Sequence, residues 1–295
     1  MTRLHWKSSL ILSGLHFDPD LPCWQDYAPF LQCLAGTEFP ACDTLNTLLP
    51  EGLRSAGGHA IRFVASNELG DDGYEHRIYT TGQVSTRPRN WHDLFNALVW
   101  MRYPHIKSAL NALHYQAGAE RKSASRGPLR DALTLFDECG AVVLSDRRDI
   151  LDALARRRWR DAFLAEGFDA SVMVSVIGHA TLEKSLAPYK SMCANVLFVQ
   201  APAEFLALTR EQRALTLDRV VAELVLKGGV LRNPACLSPL PLAGVPGWWP
   251  RANQDEPGFY LDLDVFRPPP ANLAPAPIHL PGWTSGAALT SHESH

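Results

Sequence analysis

No run of the 295-residue sequence approaches the roughly 20 consecutive apolar residues that a membrane-spanning helix needs. The apolar run in MTRLHWKSSLILSGLHFDPD is short and broken by Ser, Gly and His, too weak for a secretory signal with its small-residue cleavage site. A cytoplasmic protein without a membrane association is therefore expected. Cysteine is sparse: Cys23, Cys33, Cys42, Cys139, Cys193 and Cys236 lie far apart with no C-x-x-C pair. That spacing signals neither a zinc ribbon nor a disulfide framework, and buried free thiols are expected. Charge of one sign is also missing. The 28 basic and 31 acidic residues leave a formal charge of −3, which argues against a strongly electrostatic nucleic-acid binder while allowing a local basic patch.

The chemical signatures are absent too. There is no His-Glu-x-x-His, no Gly-x-Ser-x-Gly, no phosphate-binding glycine loop and no Gly-x-Gly-x-x-Gly. A nucleotide-driven enzyme or a nicotinamide oxidoreductase would need one of the glycine loops, so both classes recede, and no nucleophile is assigned.

What is present is a mixed pattern. GHAIRFVAS (58–66) and YEHRIYTTGQV (74–84) are rich in β-branched and aromatic residues, with turn chemistry between them, and read as a β-hairpin. Asn90 reads as the N-cap of a helix that Pro104 ends, and HIKSALNALHYQAG as a second helix closed by Gly118. A third follows from Pro128 to Gly140, then the strand AVVLS, a basic helix over 147–167 and the buried strand ASVMVSVIG. HATLEKSLAPY and TREQRALTLDRVVAELVLKGG add two more helices. The fold class is α+β, predominantly helical with a small β-sheet (a hairpin plus one or two further strands) and a long irregular Pro/Trp-rich C-terminal segment. Residues 1–267 are expected to form a single globular domain and 268–295 a Pro-rich flexible tail.

Four stretches could carry chemistry. In RNWHDLFNALVW, Trp91, Leu94, Phe95, Leu98 and Met101 form an apolar stripe, while His92 and Asn96, four apart, share another face beside Asp93. Lys107, Asn111 and His114 repeat that spacing on the second helix. Asp137 and Glu138 sit at a helix C-terminus, where carboxylates oppose the dipole, so nothing local favours them there. In GHATLEK, a strand delivers His179 and Glu183, four apart, a workable nitrogen and oxygen pair for zinc, iron or manganese. Each element has a plain structural alternative: a half-exposed histidine in a first turn, a salt bridge to Arg147, Arg148 or Arg156, a surface pair.

The segments RNWHDLFNALVWMRYPHIKSALNALH, RGPLRDALTLFDECG, GHATLEK and LSPLPLAGVPGWW with FYLDLDVFR resemble an uncharacterised proteobacterial family, the domain of unknown function numbered 3025, from about residue 59 to residue 267. The resemblance implies no activity, cofactor or site. Family sequences often place a histidine in the stretch corresponding to KSMCANVL, where this chain has Asn195.

From the residues, the leading expectation is a metal-dependent hydrolase acting on an anionic substrate. His92, His114, Asp137, His179 and Glu183 are the candidate metal ligands, for zinc, iron or manganese. Asp93 and Glu138 are the candidate catalytic carboxylates, and Arg89, Asn96, Lys107, Asn111, Arg130 and Lys184 the candidate substrate-binding groups, with Arg126 a further cation. The alternative is a non-catalytic module for an anionic metabolite, a nucleic acid or a protein partner. Its nucleic-acid version would use RRRWRD (156–161) with Trp159 stacking on a base, and is not the favoured one.

Overall fold

The computed structural model describes residues 10–18, 21–36, 38–68, 73–119, 127–256, 258–272 and 274–283. The expectations for residues 1–9, for Arg126 in the polar stretch 120–126, and for 284–295 of the tail lie outside the described residues. A short antiparallel hairpin, β1 (Leu10–Leu12) and β2 (Leu15–Phe17), is followed by three short helices, α1 (Pro22–Gln25), α2 (Ala28–Leu34) and α3 (Cys42–Asn46). The helices cover the core through Trp24, Tyr27, Leu31 and Leu45, all buried.

The hairpin expected over 58–84 is not formed. β3 (Arg62–Ala65) and β4 (Gln83–Thr86) pair in parallel, Arg62 opposite Gln83, and YEHRIYTT folds instead as a helix, α4 (Tyr74–Thr81). Parallel neighbours need a crossover, not a tight turn, and α4 provides it. Its Ile78 is fully buried, a tertiary contact that overrides the β-propensity of its neighbours. Gly82 ends the helix at φ 73°, where a Cβ would lie 2.1 Å from the Ala60 carbonyl oxygen, so only glycine fits.

α5 (Trp91–Arg102) starts as the sequence indicates, with the Asn90 side chain accepting from the Asp93 amide at 3.0 Å. Pro104 opens α6 (Pro104–Ala119), whose amides at His105 and Ile106 donate to the buried Asp218 carboxylate at 3.0 and 2.8 Å. Gly118 lies inside the last turn of this helix and not past its end. α7 (Pro128–Cys139) runs without a loop into β5 (Gly140–Ser145). The single basic helix expected over 147–167 is three pieces, α8 (Arg148–Ala155), α9 (Trp159–Phe163) and α10 (Phe168–Ser171). The break falls at Arg157, which takes left-handed backbone at φ 54°.

β6 (Val172–Val176) returns antiparallel to β5 and leads through Gly178 into α11 (His179–Lys184). β7 (Cys193–Gln200), an apolar run that the periodicity reading passes over, lies parallel to β5 on its other edge. The chain continues through α12 (Ala203–Leu206), α13 (Arg210–Gly228), β8 (Ser238–Pro241), α14 (Arg251–Gln254) and β9 (Ile278–His279). β8 pairs with the first half of β7 and β9 with the second, giving a mixed sheet in the order β6-β5-β7-β8 with β9 beside β7.

Both faces of this sheet are covered, which is why its central strands read as continuous apolar runs. Val142, Leu144, Leu197 and Val199 face one core with residues of α5, α6, α7 and α13. Ala141, Val143, Val196 and Phe198 face a second, built with α8, α9, Phe259, Tyr260 and Phe266. The α+β class holds. The sheet is larger than a hairpin and two strands, and part of the Pro-rich stretch after 267 belongs to it: β9 joins the sheet, and Trp283 Nε1 donates to the Gln200 carbonyl at 3.0 Å. Among the described residues no helix is long and apolar enough to cross a membrane. The cysteines are all free, but only Cys23 and Cys236 are buried; Cys42 and Cys139 are partly buried and Cys33 and Cys193 exposed, so the expectation of buried thiols is met at two of the six.

Candidate metal centre and its cleft

Sheet topology brings two distant parts of the chain together. Because β6 runs antiparallel to β5, the end of β6 lies beside the start of β5, Val176 opposite Ala141. Glu138 lies two residues before β5 and His179 three residues after β6, so the pairing makes them neighbours. The junction is tight: the Ile177 and Gly178 amides both donate to the Gly140 carbonyl, at 2.9 and 2.8 Å. α11 then packs on α5, which carries His92.

Three ligand-type atoms converge there. His92 Nε2 and His179 Nε2 are 3.0 Å apart, and Glu138 Oε2 lies 3.8 Å from the first and 3.6 Å from the second. A point equidistant from all three is about 2.0 Å from each, the length of a bond from zinc to a histidine nitrogen or carboxylate oxygen. His92, Glu138 and His179 can therefore hold a metal ion.

Carboxylates stand behind both histidines. His92 Nδ1 donates to Glu183 Oε2 at 2.9 Å, which fixes the ring in the tautomer that presents a bare Nε2. His179 Nδ1 is buried, has no hydrogen-bond partner among the described residues and faces Asp137 Oδ2 at 3.8 Å. With His92 Nε2 bare, the Nε2 to Nε2 contact needs a proton on His179 Nε2; an ion held by both rings would require that proton on Nδ1 instead, facing Asp137. Burial pushes His179 down to about 4, so its imidazole is neutral over the ordinary pH range and suited to ligation. Burial opposes ionisation of Asp137, but Lys107, bonded to Oδ1 at 2.5 Å, and His179 outweigh it and hold the carboxyl below its usual value. Burial raises Glu138, with His92 opposing the rise.

The site opens into a cleft of about 990 Å³. Two asparagines of α5 and α6 secure its rim: Asn96 Nδ2 donates to the Tyr74 hydroxyl at 2.7 Å, and Asn111 Nδ2 donates to Glu75 Oε2 at 2.7 Å and to the Glu75 carbonyl at 2.9 Å. The polar faces of the two helices thus meet, though through α4 and not through each other. Glu75 lines the cleft with the three converging residues, and desolvation, reinforced by Asp137, pushes it up to about 7 against the pull of Asn111, Lys107 and Arg130. A carboxyl poised near neutrality can take or give a proton at working pH. The Glu75 carboxyl followed by carbon-detected NMR should titrate near 7, and Asp137→Asn should move its midpoint downward; a midpoint near 4.5 in the unaltered chain would remove Glu75 from any proton transfer.

The candidate residues divide as follows. His92, His179 and Glu138 converge, Glu138 as a candidate ligand and not the separate catalytic carboxylate expected. Glu183 and Asp137, expected on the metal, stand behind the histidines. His114 lines the cleft but is not among the three converging residues. Asp93 is held by Arg87 through its amide, Nε and a terminal nitrogen at 2.6, 3.0 and 2.7 Å, so both its oxygens are engaged. Lys107 is buried against Asp137 and does not line the cleft, and Asn111 acts through Glu75. Lys184 is exposed, 3.6 Å from Cys139 Sγ and outside the cleft, and Arg89 lies in a second cleft. Arg130 is the expected cation that does line the site: it forms no hydrogen bond or ion pair with a described residue, and its buried Nε lacks a partner.

Sequence reasoning missed Glu75 and Arg87. The signal for Glu75 was a helical spacing in YEHRIYTT that composition disguised. In RRRWRD, Trp159 is buried and donates to the Arg267 carbonyl at 2.8 Å, so it is not placed to stack on a base; Arg158 pairs with Asp161, and Arg156 and Arg160 are exposed. Asn195 sits opposite Gly140 in the sheet and lines neither cleft. No curated protein and no solved structure matches the chain. A family model described as protein of unknown function (DUF3025) matches residues 61–269, which run from β3 past α14 and include every residue of the converging site, and the chain belongs to that family.

Proposed function

We propose that the chain is a metal-dependent hydrolase acting on an anionic substrate, with one divalent ion held by His92, His179 and Glu138. The observation that carries this reading is the convergence of two imidazole nitrogens and one carboxylate oxygen about a point at bonding distance, at the wall of a large polar cleft. Two nitrogens and one oxygen suit zinc first, and iron(II) or manganese after it. Three protein ligands leave a coordination position open, and an ion held this way lowers the pKa of water toward neutrality.

The chain's own groups supply the rest. Glu183 and Asp137 orient the two imidazoles from behind. Arg130, with its uncommitted donors, holds an oxyanion of the substrate, since a guanidinium meets carboxylate or phosphate with two parallel bonds. Glu75 accepts a proton above about 7 and keeps one below it.

Elemental analysis of the full chain, purified without an affinity tag or chelator, tests the assignment. About one equivalent of metal is expected, falling below about a tenth in His92→Ala and in His179→Ala while both variants stay folded. No metal in the unaltered chain, after reconstitution with zinc, iron(II) and manganese in turn, would sink the hydrolase and favour the non-catalytic module.

A further inference from the structure

A second cleft, of about 770 Å³, is lined by the β3–β4 pair. All four residues of β3 line it, with Gln83 and Thr86 of β4, while Ser85 lines the first cleft. The two clefts meet at Arg87, which lines both and grips Asp93, the neighbour of His92.

The second cleft is strongly basic. Arg62, Arg77, Arg87 and Arg89 line it, against one carboxylate, Asp43, among its described residues. Arg77 is buried and Arg87 is engaged by Asp93. Arg62 and Arg89 are exposed and form no ion pair with a described residue. Arg89 takes left-handed backbone, φ 55°, in the turn it forms with Pro88. Two exposed guanidinium groups on a concave wall, without an ion pair among the described residues, favour an oxyanion with several acceptor oxygens.

We propose that this cleft is a second oxyanion subsite for the substrate of the metal cleft. That substrate carries two phosphate- or sulfate-type groups, one held by Arg130 and the other by Arg62 and Arg89, with Arg87 between them. The substrate's identity rests on the hydrolase reading; the existence of the subsite does not.

Two measurements separate these parts. In the metal-free full chain, inorganic sulfate should shift the Gln83 and Thr86 amide resonances saturably. The Arg62→Ala/Arg89→Gly double variant should weaken that binding at least tenfold; glycine at 89 keeps the backbone conformation. His92→Ala should leave it within twofold, so a failed metal assignment would not disturb this arm. On the metal-loaded chain, titration with a series of alkanediol bisphosphates should find one chain length that binds at least tenfold tighter than butyl phosphate, because the second contact becomes intramolecular. The gain should vanish in the double variant and in Arg130→Ala. Sulfate shifts that are absent, or unchanged in the double variant, would overturn the subsite. A bisphosphate series with no favoured length would overturn the shared substrate.

Discussion

Glu138→Gln should empty the metal site, whereas Glu183→Gln should only loosen it. The two carboxylates look interchangeable on charge, and they lie on opposite sides of the same imidazole. Glu138 Oε2 is 3.8 Å from His92 Nε2 and 3.6 Å from His179 Nε2, on the side where the ion would sit. Glu183 Oε2 is 2.9 Å from His92 Nδ1, on the side away from it. Replacing Glu138 by its neutral isostere removes one of three ligands and the only negative charge among them. Removing an outer partner of a metal-bound histidine costs roughly 10- to 100-fold in affinity, so the loss of Glu138 should exceed about 100-fold. Glutamine at 183 can still accept from Nδ1, which places Glu183→Gln near the low end of that range and Glu183→Ala toward the high end. Competition against a chelator of known affinity measures all three, with the thermal midpoint in excess chelator as the control for folding. Equal losses at 138 and 183 would put Glu183 on the ion and exchange the two roles.

Spacing could nominate these residues but not rank them. His179 and Glu183 stand four apart on one helix, and that separation is the same whether both bind one ion or the glutamate braces another histidine. What decides is the packing of α11 on α5, which points His92 between them, and no local pattern encodes it. The clearest sequence signal was a conflict: Asp137 and Glu138 lie at a helix C-terminus against the dipole. The compensation is Lys107 for the first and, in our reading, a metal ion for the second. Helix limits were legible wherever capping chemistry set them, as at Asn90, Pro104 and Pro128. They failed where long-range contacts or a single backbone angle decided. YEHRIYTT is helical because Ile78 finds a core, and the basic helix breaks because Arg157 leaves the right-handed region. Glu75 was lost with the first of these errors, since a residue placed on a hairpin could not be matched to a face of α6.

Gly178→Ala should cost about 3 kcal/mol or more and abolish metal binding in whatever folded protein remains, although alanine is the smallest change available. The backbone at Gly178 is ordinary, φ −73°, so conformation is not the obstacle. The obstacle is space. A Cβ there would lie 2.4 Å from the Gly140 nitrogen, 2.5 Å from the Glu138 carbonyl oxygen and 2.6 Å from Cys139 Cα. All three are main-chain atoms at the junction of α7 with β5, so no side chain can swing aside. Relief requires β6 and α11 to move away from that junction, carrying His179 away from Glu138 and lengthening the bonds from Ile177 and Gly178 to the Gly140 carbonyl. Gly118→Ala supplies the contrast: a Cβ there meets nothing within 4 Å, and the position is helical, so alanine should stabilise by about 0.5–1 kcal/mol. Denaturant unfolding of the two variants in chelator, with metal affinity measured alongside, tests both expectations. A Gly178→Ala protein as stable as the parent and still binding metal would mean that the close approach of α11 to α7 is not what holds His179 against Glu138.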